Sequence, residues 1–275
     1  MEKKIKIIGV IPARYASSRF PGKPLADIHG KPMIWWVYQQ AKKVVELDEV
    51  VVATDDQRIC VVCEQLNIPN VMTSNSHKTP NDRIHEVSTM INADIYVCIN
   101  GDEPLIQPEV IKKALPEEGD ELAYFSSNVI TAIKNPVELA DPSNIKAVFN
   151  KDGEALWISR SPIPFPKGSL DFNYYKIIGV AAFSKNALDF YANTKRSALE
   201  TVEELDMYRF LEHGKKCLLK IADAYTLSVD EPKDLEYVRE ILSRPPPPCH
   251  IIRYRSSKWL KRSLVSPSFS IRRAA

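Results

Sequence analysis

Three cations lie close together in a stiff stretch near the N-terminus. An apolar run over 5–11 predicts a buried strand, and Arg14, Arg19 and Lys23 follow it. Prolines and a glycine keep the segment from forming a helix, so the next helix can begin only near Pro32. Fixed cations and free N–H groups at the carboxyl end of a strand suit a polyanion such as a nucleoside triphosphate. The alternative, an ordinary solvated loop, does not explain the prolines.

Two acidic residues follow a second buried strand. The apolar pattern over 95–100 leads into Gly-Asp-Glu-Pro, which presents Asp102 and Glu103 at the carboxyl end of that strand. In a parallel sheet this end lies beside the cationic loop. A carboxylate next to bound phosphates is how proteins hold Mg²⁺, which takes only one or two protein carboxylates and keeps several waters. The alternative is a plain turn that is rich in Asp and Gly.

The rest of the chain must bring these residues together, and its first half alternates strand and helix patterns. Strands are predicted over 50–54, 70–73, 95–100 and 122–131, and helices over 56–66, 82–91 and 108–115. Such alternation predicts an α/β fold with a mainly parallel, doubly wound sheet.

The pattern changes after residue 141. A hairpin is predicted for 145–149 and 155–158 around Asn-Lys-Asp-Gly. Further along, the sequence predicts strands over 177–183 and 218–222 and helices over 187–193, 203–213 and 232–242. We expect 145–210 to form a smaller lobe within one domain that spans 1–242.

Charge separates the C-terminal tail from this domain. Residues 243–275 begin with a run of four prolines and carry eight Lys or Arg and no acid. Of the 37 basic residues, 29 remain in the rest of the chain against 35 acids. We expect a disordered tail and no nucleic-acid partner; contact with an anionic membrane is the alternative.

Composition excludes several classes of protein. No apolar run is long enough for a membrane span, and the short N-terminal run ends at Pro12, unlike a signal peptide. Five scattered cysteines favour a reducing cytoplasm. No Gly-x-Gly-x-x-Gly follows the first strand, which disfavours a dinucleotide-dependent oxidoreductase. Cys60-x-x-Cys63 and Trp35-Trp36 are interpreted as packing residues.

The cationic stretch, Ile-Pro-Ala-Arg-Tyr-Ala-Ser-Ser-Arg-Phe-Pro-Gly-Lys-Pro-Leu, resembles the signature loop of the CMP-sugar-acid synthetases. The resemblance is to the 3-deoxy-manno-octulosonate cytidylyltransferases in particular, and it covers about 4–242. It implies a Rossmann-like fold of the nucleotide-diphospho-sugar transferase type. It also implies transfer of CMP from CTP to a 2-keto-3-deoxy sugar acid, with release of pyrophosphate. A homodimer made through the smaller lobe, and a role in lipopolysaccharide or capsule synthesis, are further implications.

The resemblance assigns roles residue by residue. It implies Mg²⁺ as cofactor, with Asp102 and Asp230 as its ligands. The catalytic cations are Arg14, Arg19 and Lys23. The nucleotide would also be bound by Pro12, Ala13, Asn81 and Arg83. The acceptor would be bound by Arg160 and Glu203.

Two of these assignments have structural alternatives. Asp230 lies in Val-Asp-Glu-Pro-Lys-Asp-Leu, which resembles a metal-binding segment of the family, but Asp before Glu-Pro also begins a helix well. The segment His-Lys-Thr-Pro-Asn-Asp-Arg resembles the base-reading loop, although Pro80 and Asn81 replace the family's Gly and Thr. Asn81 could instead cap a helix.

The acceptor side departs further from the family. A His and a Gln that hold the sugar acid in the family correspond to Ile177 and Met207 here. We therefore keep open an acceptor other than the usual octulosonate. A nucleotide-binding protein without catalytic activity is a third possibility, which two metal carboxylates disfavour.

Overall fold

The computed structural model describes residues 5–17, 19–117, 124–169, 171–224 and 227–243. By compactness the chain divides into Met1–Arg239 and Glu240–Ala275. Only 240–243 of the second unit are described, as the last residues of a helix. The predicted basic tail therefore lies, apart from residue 243, outside the described residues, as do the first two residues of the strand predicted over 122–131.

Strands and helices alternate along most of the described chain. The strands are β1 (Ile7–Ala13), β2 (Asp27–Ile28), β3 (Lys31–Pro32), β4 (Glu49–Thr54), β5 (Asn70–Met72), β6 (Ile95–Ile99), β7 (Ser126–Ala132), β8 (Lys146–Phe149), β9 (Ala155–Ser159), β10 (Tyr175–Ser184) and β11 (Cys217–Ile221). The helices are α1 (Met33–Ala41), α2 (Gln57–Gln65), α3 (Pro80–Met90), α4 (Pro108–Lys113), α5 (Pro136–Ala140), α6 (Lys185–Asn193), α7 (Ala198–Glu203), α8 (Tyr208–Leu211) and α9 (Pro232–Ser243).

The central sheet has the strand order β11-β7-β10-β6-β1-β4-β5, and β8 pairs with β10 beside this path. Strands β6, β1, β4 and β5 run parallel, as do β11 and β7. Only β10 runs antiparallel to its neighbours β6 and β7 along this order. The predicted α/β fold with a mainly parallel sheet is confirmed.

Both faces of the sheet are covered by helices. In β6, Ile95, Val97 and Ile99 pack on the face covered by α1, α2 and α4. Tyr96 and Cys98 of the same strand point to the opposite face, which α3, α6 and α8 cover. A strand buried on both faces reads as an unbroken apolar run, which is why β6 is visible in the sequence. Within the described residues, no helix is long and apolar enough to cross a membrane.

The predicted hairpin is present as β8 and β9, which pair antiparallel. Its turn ends at Gly153, whose φ of +79° is a left-handed conformation that favours glycine. Because β8 also pairs with β10, the hairpin extends the central sheet. The segment 145–210 belongs to the same compact unit as the rest of the domain.

Several predicted boundaries differ from the structure, and the first strand is one of them. The first strand ends at Ala13 rather than at residue 11, and it includes Pro12. The proline is tolerated because β6 pairs only as far as Val10, so the strand beyond has one bonded neighbour.

The helix predicted over 203–213 is wrong: this range holds only the last residue of α7, a break, and the short helix α8. Glu204 ends α7 in a left-handed conformation with φ of +54°. Leu205 and Met207 in the break that follows are buried, and this tertiary demand overrides the helical pattern.

Candidate active site

The cationic loop closes on itself before Lys23. The Gly22 N–H donates to the carbonyl of Tyr15 at 2.9 Å. Gly22 has φ of +72°, and a Cβ at this position would lie 3.0 Å from the Tyr15 ring. A short 3₁₀ helix, Lys23–Leu25, begins directly after it. Loop closure therefore fixes where the Lys23 side chain starts.

Lys23 reaches the carboxyl end of β6. Its Nζ lies 2.7 Å from Asp102 Oδ2, and the lysine side chain is only 14% exposed. Gly101 allows this close approach, because a Cβ there would lie 2.9 Å from the carbonyl oxygen of Pro12 in β1. The cationic loop and the Gly-Asp-Glu-Pro turn are thus in direct contact.

Asp230 joins the same cluster from the far end of the sequence. Its Oδ1 lies 3.7 Å from Lys23 Nζ and 2.8 Å from an Arg19 guanidinium nitrogen. The segment is held by a hydrogen bond from the Val229 N–H to the Asp102 carbonyl, at 2.9 Å. Both carboxylates therefore contact the Lys23 ammonium. Asp102 Oδ2 and Asp230 Oδ1 cannot lie further apart than the sum of their distances to Lys23 Nζ.

In the described residues, the Asp230 side chain pairs with the loop cations and is not seen to cap α9. Asp234, in the first turn of α9, accepts hydrogen bonds from the N–H groups of Asp230 at 3.0 Å and Glu231 at 2.9 Å. Both N–H groups precede α9, so Asp234 holds the residues that lead into the helix from within its first turn. Asp230 is consequently left to pair with the cations of the loop.

The three predicted cations differ in position. Lys23 is partly buried between the two carboxylates, and Arg19 pairs with Asp230 while its side chain stays 57% exposed. Arg14 is exposed on the same loop. Pro12 and Ala13 form the end of β1 and pair with β4, which places them next to the loop.

Asp102 and Asp230 suit a divalent cation. Asp102 Oδ1 is buried and has no hydrogen-bond partner in the part of the chain that the structure describes, and such orphaned oxygens are rare in folded proteins. The described part of the chain contains no group of three or more His, Cys, Asp or Glu side chains that could hold a metal. Mg²⁺ accepts one or two protein carboxylates when phosphates and water complete its shell. The residues present therefore fit Mg²⁺ bound together with a nucleotide.

Glu103 is a site residue whose role sequence reasoning missed. It is buried, and its Oε1 accepts hydrogen bonds from the Gly179 N–H at 2.9 Å and from the Ser228 hydroxyl at 3.4 Å. Burial raises its pKa to about 7, and the negative charge of Asp102 adds to this rise. Glu103 ties the Asp102 turn both to β10 and to the segment that leads to Asp230.

A cavity of about 610 Å³ adjoins this cluster. Arg19, Glu103 and Asp230 line its loop side, and Arg160, Ile177, Met207 and Asn81 also line it. The structure thus brings the predicted phosphate-binding and acceptor-binding segments to one cavity. The two positions that depart from the family, Ile177 and Met207, are both on its wall.

Arg160 and Glu203 are in contact with each other, but only Arg160 lines the cavity. Glu203 Oε2 accepts from the Arg160 N–H at 2.5 Å, and the Glu203 carbonyl accepts from Arg160 Nε at 2.7 Å. Glu203 Oε1 accepts from the hydroxyls of Ser159 and Tyr208. Glu203 therefore holds Arg160 in place from behind.

Asn81 and Arg83 lie on the first turn of α3. The N-cap of this helix is Thr79, in a capping box with Asp82, so the interpretation of Asn81 as the cap was wrong. Asn81 is buried and lines the cavity. Arg83 is buried as well, and it donates to Asp55 at 2.8 Å and to the Thr73 hydroxyl. Their contact with the nucleotide base stays a prediction.

Asp206 is an acidic residue of the cavity that the sequence did not single out. It lies in the break between α7 and α8 and lines the cavity. Burial raises its pKa to about 7, with Glu200 and Asp82 adding to the rise and Arg209 opposing it. The sequence did not point to Asp206 because 203–213 has the pattern of one amphipathic helix.

The cysteine pair has no part in this site. Cys60 and Cys63 are free and buried on α2, and burial raises the pKa of the Cys63 thiol to about 12. Such a thiol is not reactive at neutral pH. Trp35 and Trp36 pack edge to face on α1, partly buried.

Comparison with known proteins assigns the family. The cytidylyltransferase family matches residues 8–217. The chain belongs to the cytidylyltransferases. It is therefore a CTP-dependent nucleotidyltransferase.

Individual relatives are similar over nearly their whole length. The chain is 39% identical to 3-deoxy-manno-octulosonate cytidylyltransferase of Escherichia coli, over 87% of this chain and 97% of that protein. It is 36% identical to 8-amino-3,8-dideoxy-manno-octulosonate cytidylyltransferase of Shewanella sp. (strain W3-18-1), over 87% and 99%. Among solved structures, a CMP–2-keto-3-deoxy-manno-octonic acid synthetase in complex with CTP superposes with a TM-score of 0.82. It is 39% identical, over 86% of this chain and 98% of that one.

Proposed function

We propose that this chain transfers CMP from CTP to 3-deoxy-manno-octulosonate or a closely related sugar acid, with release of pyrophosphate. The observation that carries the proposal is the meeting of Lys23 with Asp102 and Asp230 at the rim of a large cavity. Arg19 and Asp230 of this cluster line the cavity, and so does Arg160, which we assign to the acceptor.

In this reaction the anomeric hydroxyl oxygen of the acceptor attacks the α-phosphorus of CTP. The new P–O bond forms while the bond from the α-phosphorus to the oxygen bridging to the β-phosphorus breaks. Pyrophosphate leaves with that electron pair, and the hydroxyl proton passes to solvent. Arg14, Arg19 and Lys23 hold the triphosphate and stabilise the charge that grows on the leaving group.

Asp102 and Asp230 are proposed as the ligands of Mg²⁺. When bound there with phosphate oxygens, Mg²⁺ would supply further positive charge to the triphosphate. Support comes from the buried, unpartnered Oδ1 of Asp102 and from the closeness of the two carboxylates. We propose that Pro12, Ala13, Asn81 and Arg83 contact the rest of the nucleotide.

The acceptor side favours a second candidate substrate within the same class. Ile177 and Met207 line the cavity where the family has a His and a Gln, so fewer side chains are available there to bind hydroxyl groups. The Shewanella relative is named for an 8-amino octulosonate. An octulosonate with a changed C8 end is therefore the alternative acceptor, with Arg160, held by Glu203, binding the acid group.

We also propose a cytoplasmic homodimer that supplies lipopolysaccharide or capsule synthesis. Exposed apolar side chains in 145–210 support self-association, because Leu156, Phe165 and Phe172 are 60%, 84% and 47% exposed. The four described cysteines are free thiols, which agrees with a reducing compartment. Anionic-membrane contact by the basic tail stays a lesser alternative.

Pyrophosphate release tests the proposed function directly. The protein is mixed with CTP, Mg²⁺ and a panel of sugar acids that includes 3-deoxy-manno-octulosonate and its 8-amino analogue. We expect release with CTP and one of these octulosonates, and much less with ATP, GTP or UTP. No release with any acid of the panel would contradict the proposal.

A further inference from the structure

Lys23 and Arg19 are paired with the carboxylates that we assign to the cation. Lys23 Nζ lies 2.7 Å from Asp102 Oδ2 and 3.7 Å from Asp230 Oδ1. Arg19 donates to the same Asp230 oxygen at 2.8 Å. Each carboxylate therefore already has a positive partner that is part of the chain.

These two cations are also among the three that the proposed reaction needs on the triphosphate. A side-chain cation cannot stay between two carboxylates and at the same time be fully turned towards phosphate oxygens. The Lys23 side chain is 14% exposed and the two aspartates 25% and 29%. The cluster is thus partly shielded from water, where charge–charge contacts are stronger than at a fully exposed surface.

We propose that Lys23, assisted by Arg19, is an internal competitor of the divalent cation for Asp102 and Asp230. Nucleotide binding draws the two side chains to the phosphates and so releases the carboxylates to the cation. This inference rests on the proposed function, because it assumes a triphosphate at the loop.

The consequence is coupling between the two ligands. Without nucleotide, a divalent ion must displace an ammonium and finds only two protein carboxylates. With nucleotide, the ammonium has moved and the phosphates add oxygen ligands. Because coupling of binding free energies is reciprocal, the cation must strengthen nucleotide binding by the same factor. Lys23 therefore makes the protein bind the nucleotide and its cation together.

The test measures cation binding to the nucleotide-free protein. Mn²⁺ serves as the probe, and electron paramagnetic resonance counts the free ion. Lys23→Met keeps an apolar stem of similar length but removes the charge. We expect this variant to bind Mn²⁺ roughly tenfold more tightly than the wild type, since a charge held at the site no longer opposes the ion. Its pyrophosphate release should nevertheless fall.

Three variants serve as comparisons. Arg14→Met removes an equal charge from the same loop, but Arg14 is exposed, so Mn²⁺ binding to the free protein should stay within twofold of the wild type. Arg19→Met removes the more exposed partner of Asp230 and should tighten Mn²⁺ binding by a smaller factor than Lys23→Met. The double variant Lys23→Met with Asp230→Asn should lose the gain in Mn²⁺ affinity that Lys23→Met alone produces.

Mn²⁺ binding by folded Lys23→Met that is equal to or weaker than that of the wild type would overturn the inference. Should that variant not fold, unchanged or weaker binding by Arg19→Met would do the same. Wild-type pyrophosphate release is measured on the same preparations. If the wild type is active but the variants bind Mn²⁺ as the wild type does, only the proposed competition by Lys23 is contradicted. If the wild type releases no pyrophosphate with any acid of the panel, the proposed function is contradicted as well.

Discussion

At the residue scale, the site depends on a few charged groups that are close in space and far apart in sequence. Asp102 and Asp230 would repel each other if they met without a cation, and Lys23 lies between them. Glu103 Oε2 is buried next to this cluster and, within the described residues, has no hydrogen-bond partner. These positions explain why single substitutions here should affect catalysis more than folding.

Lys23→Ala should lower turnover roughly a hundredfold or more, because a preorganised charge contact to the transition state is lost. The melting temperature should change little, since the two carboxylates that the lysine contacts are themselves partly exposed to solvent. Steady-state pyrophosphate release and thermal unfolding are measured on the same samples. Turnover within twofold of the wild type would exclude Lys23 from the catalytic residues.

Asp230→Asn should reduce activity mainly through weaker metal binding. An amide oxygen is a poorer Mg²⁺ ligand than a carboxylate, so high Mg²⁺ should partly restore the rate. The rate is followed against Mg²⁺ concentration for the wild type and the variant. Asp234→Asn, in the first turn of α9 where the side chain accepts from the Asp230 and Glu231 N–H groups, is the comparison and should affect unfolding more than the Mg²⁺ dependence. Superimposable wild-type and Asp230→Asn curves at low Mg²⁺ would remove Asp230 from the metal site.

At the scale of elements, irregular segments do most to shape the cavity. The pairing of β10 with β7 shifts register between Ile177 and Ala181, and Gly179 lies inside this shift. A Cβ at Gly179 would collide with Asn100 and with Glu103, so only glycine allows β10 to pass so close to the Asp102 turn. In the same way, the break after Glu204 separates α7 from α8 and places Asp206 and Met207 on the cavity wall.

Asp206 in this break should make stability depend on pH. Its pKa is about 7 in the folded protein but about 4 in an unfolded chain. Between these values the folded state binds more protons than the unfolded state, so the free energy of unfolding should fall as pH rises from about 4 to about 7. Glu200, Asp82 and Arg209 are the charged groups that face Asp206.

Urea unfolding at several pH values measures this effect. Asp206→Asn should make the free energy of unfolding fall less steeply with pH, because the amide does not titrate. Asp152→Asn makes the same chemical change at an exposed turn position and should leave the slope as in the wild type. Equal slopes in all three proteins would show that Asp206 does not titrate in this range.

At the scale of the whole molecule, the described domain runs to the end of α9. Leu235 and Val238 of this helix are buried, at 5% and 0% exposure. The helix also begins at the Asp230 segment, so it both completes the core and holds the site. The four prolines after residue 244 cannot continue the helix.

Deleting 245–275 should leave pyrophosphate release within about twofold of the full chain, because α9 is retained and four prolines cannot extend it. Truncation after residue 230 is the comparison. It removes Leu235 and Val238 from the core and should yield unfolded protein. Loss of soluble, active protein on deletion of 245–275 alone would show that the tail has a structural role.

The sequence by itself determined the chemistry and the class of fold. The cations, the two Asp-Glu-Pro triplets and the alternation of apolar runs are local patterns of residue type and spacing. They predicted the mainly parallel α/β sheet, which is confirmed, and, together with the family resemblance, a nucleotidyltransferase. The residues assigned to its phosphate side stay a prediction. Tertiary structure decided what those residues do to one another. Examples are the contact of Lys23 with both carboxylates, the break at Glu204 and the raised pKa values of Glu103 and Asp206. Each depends on burial or distance between segments remote in sequence, which no local pattern encodes.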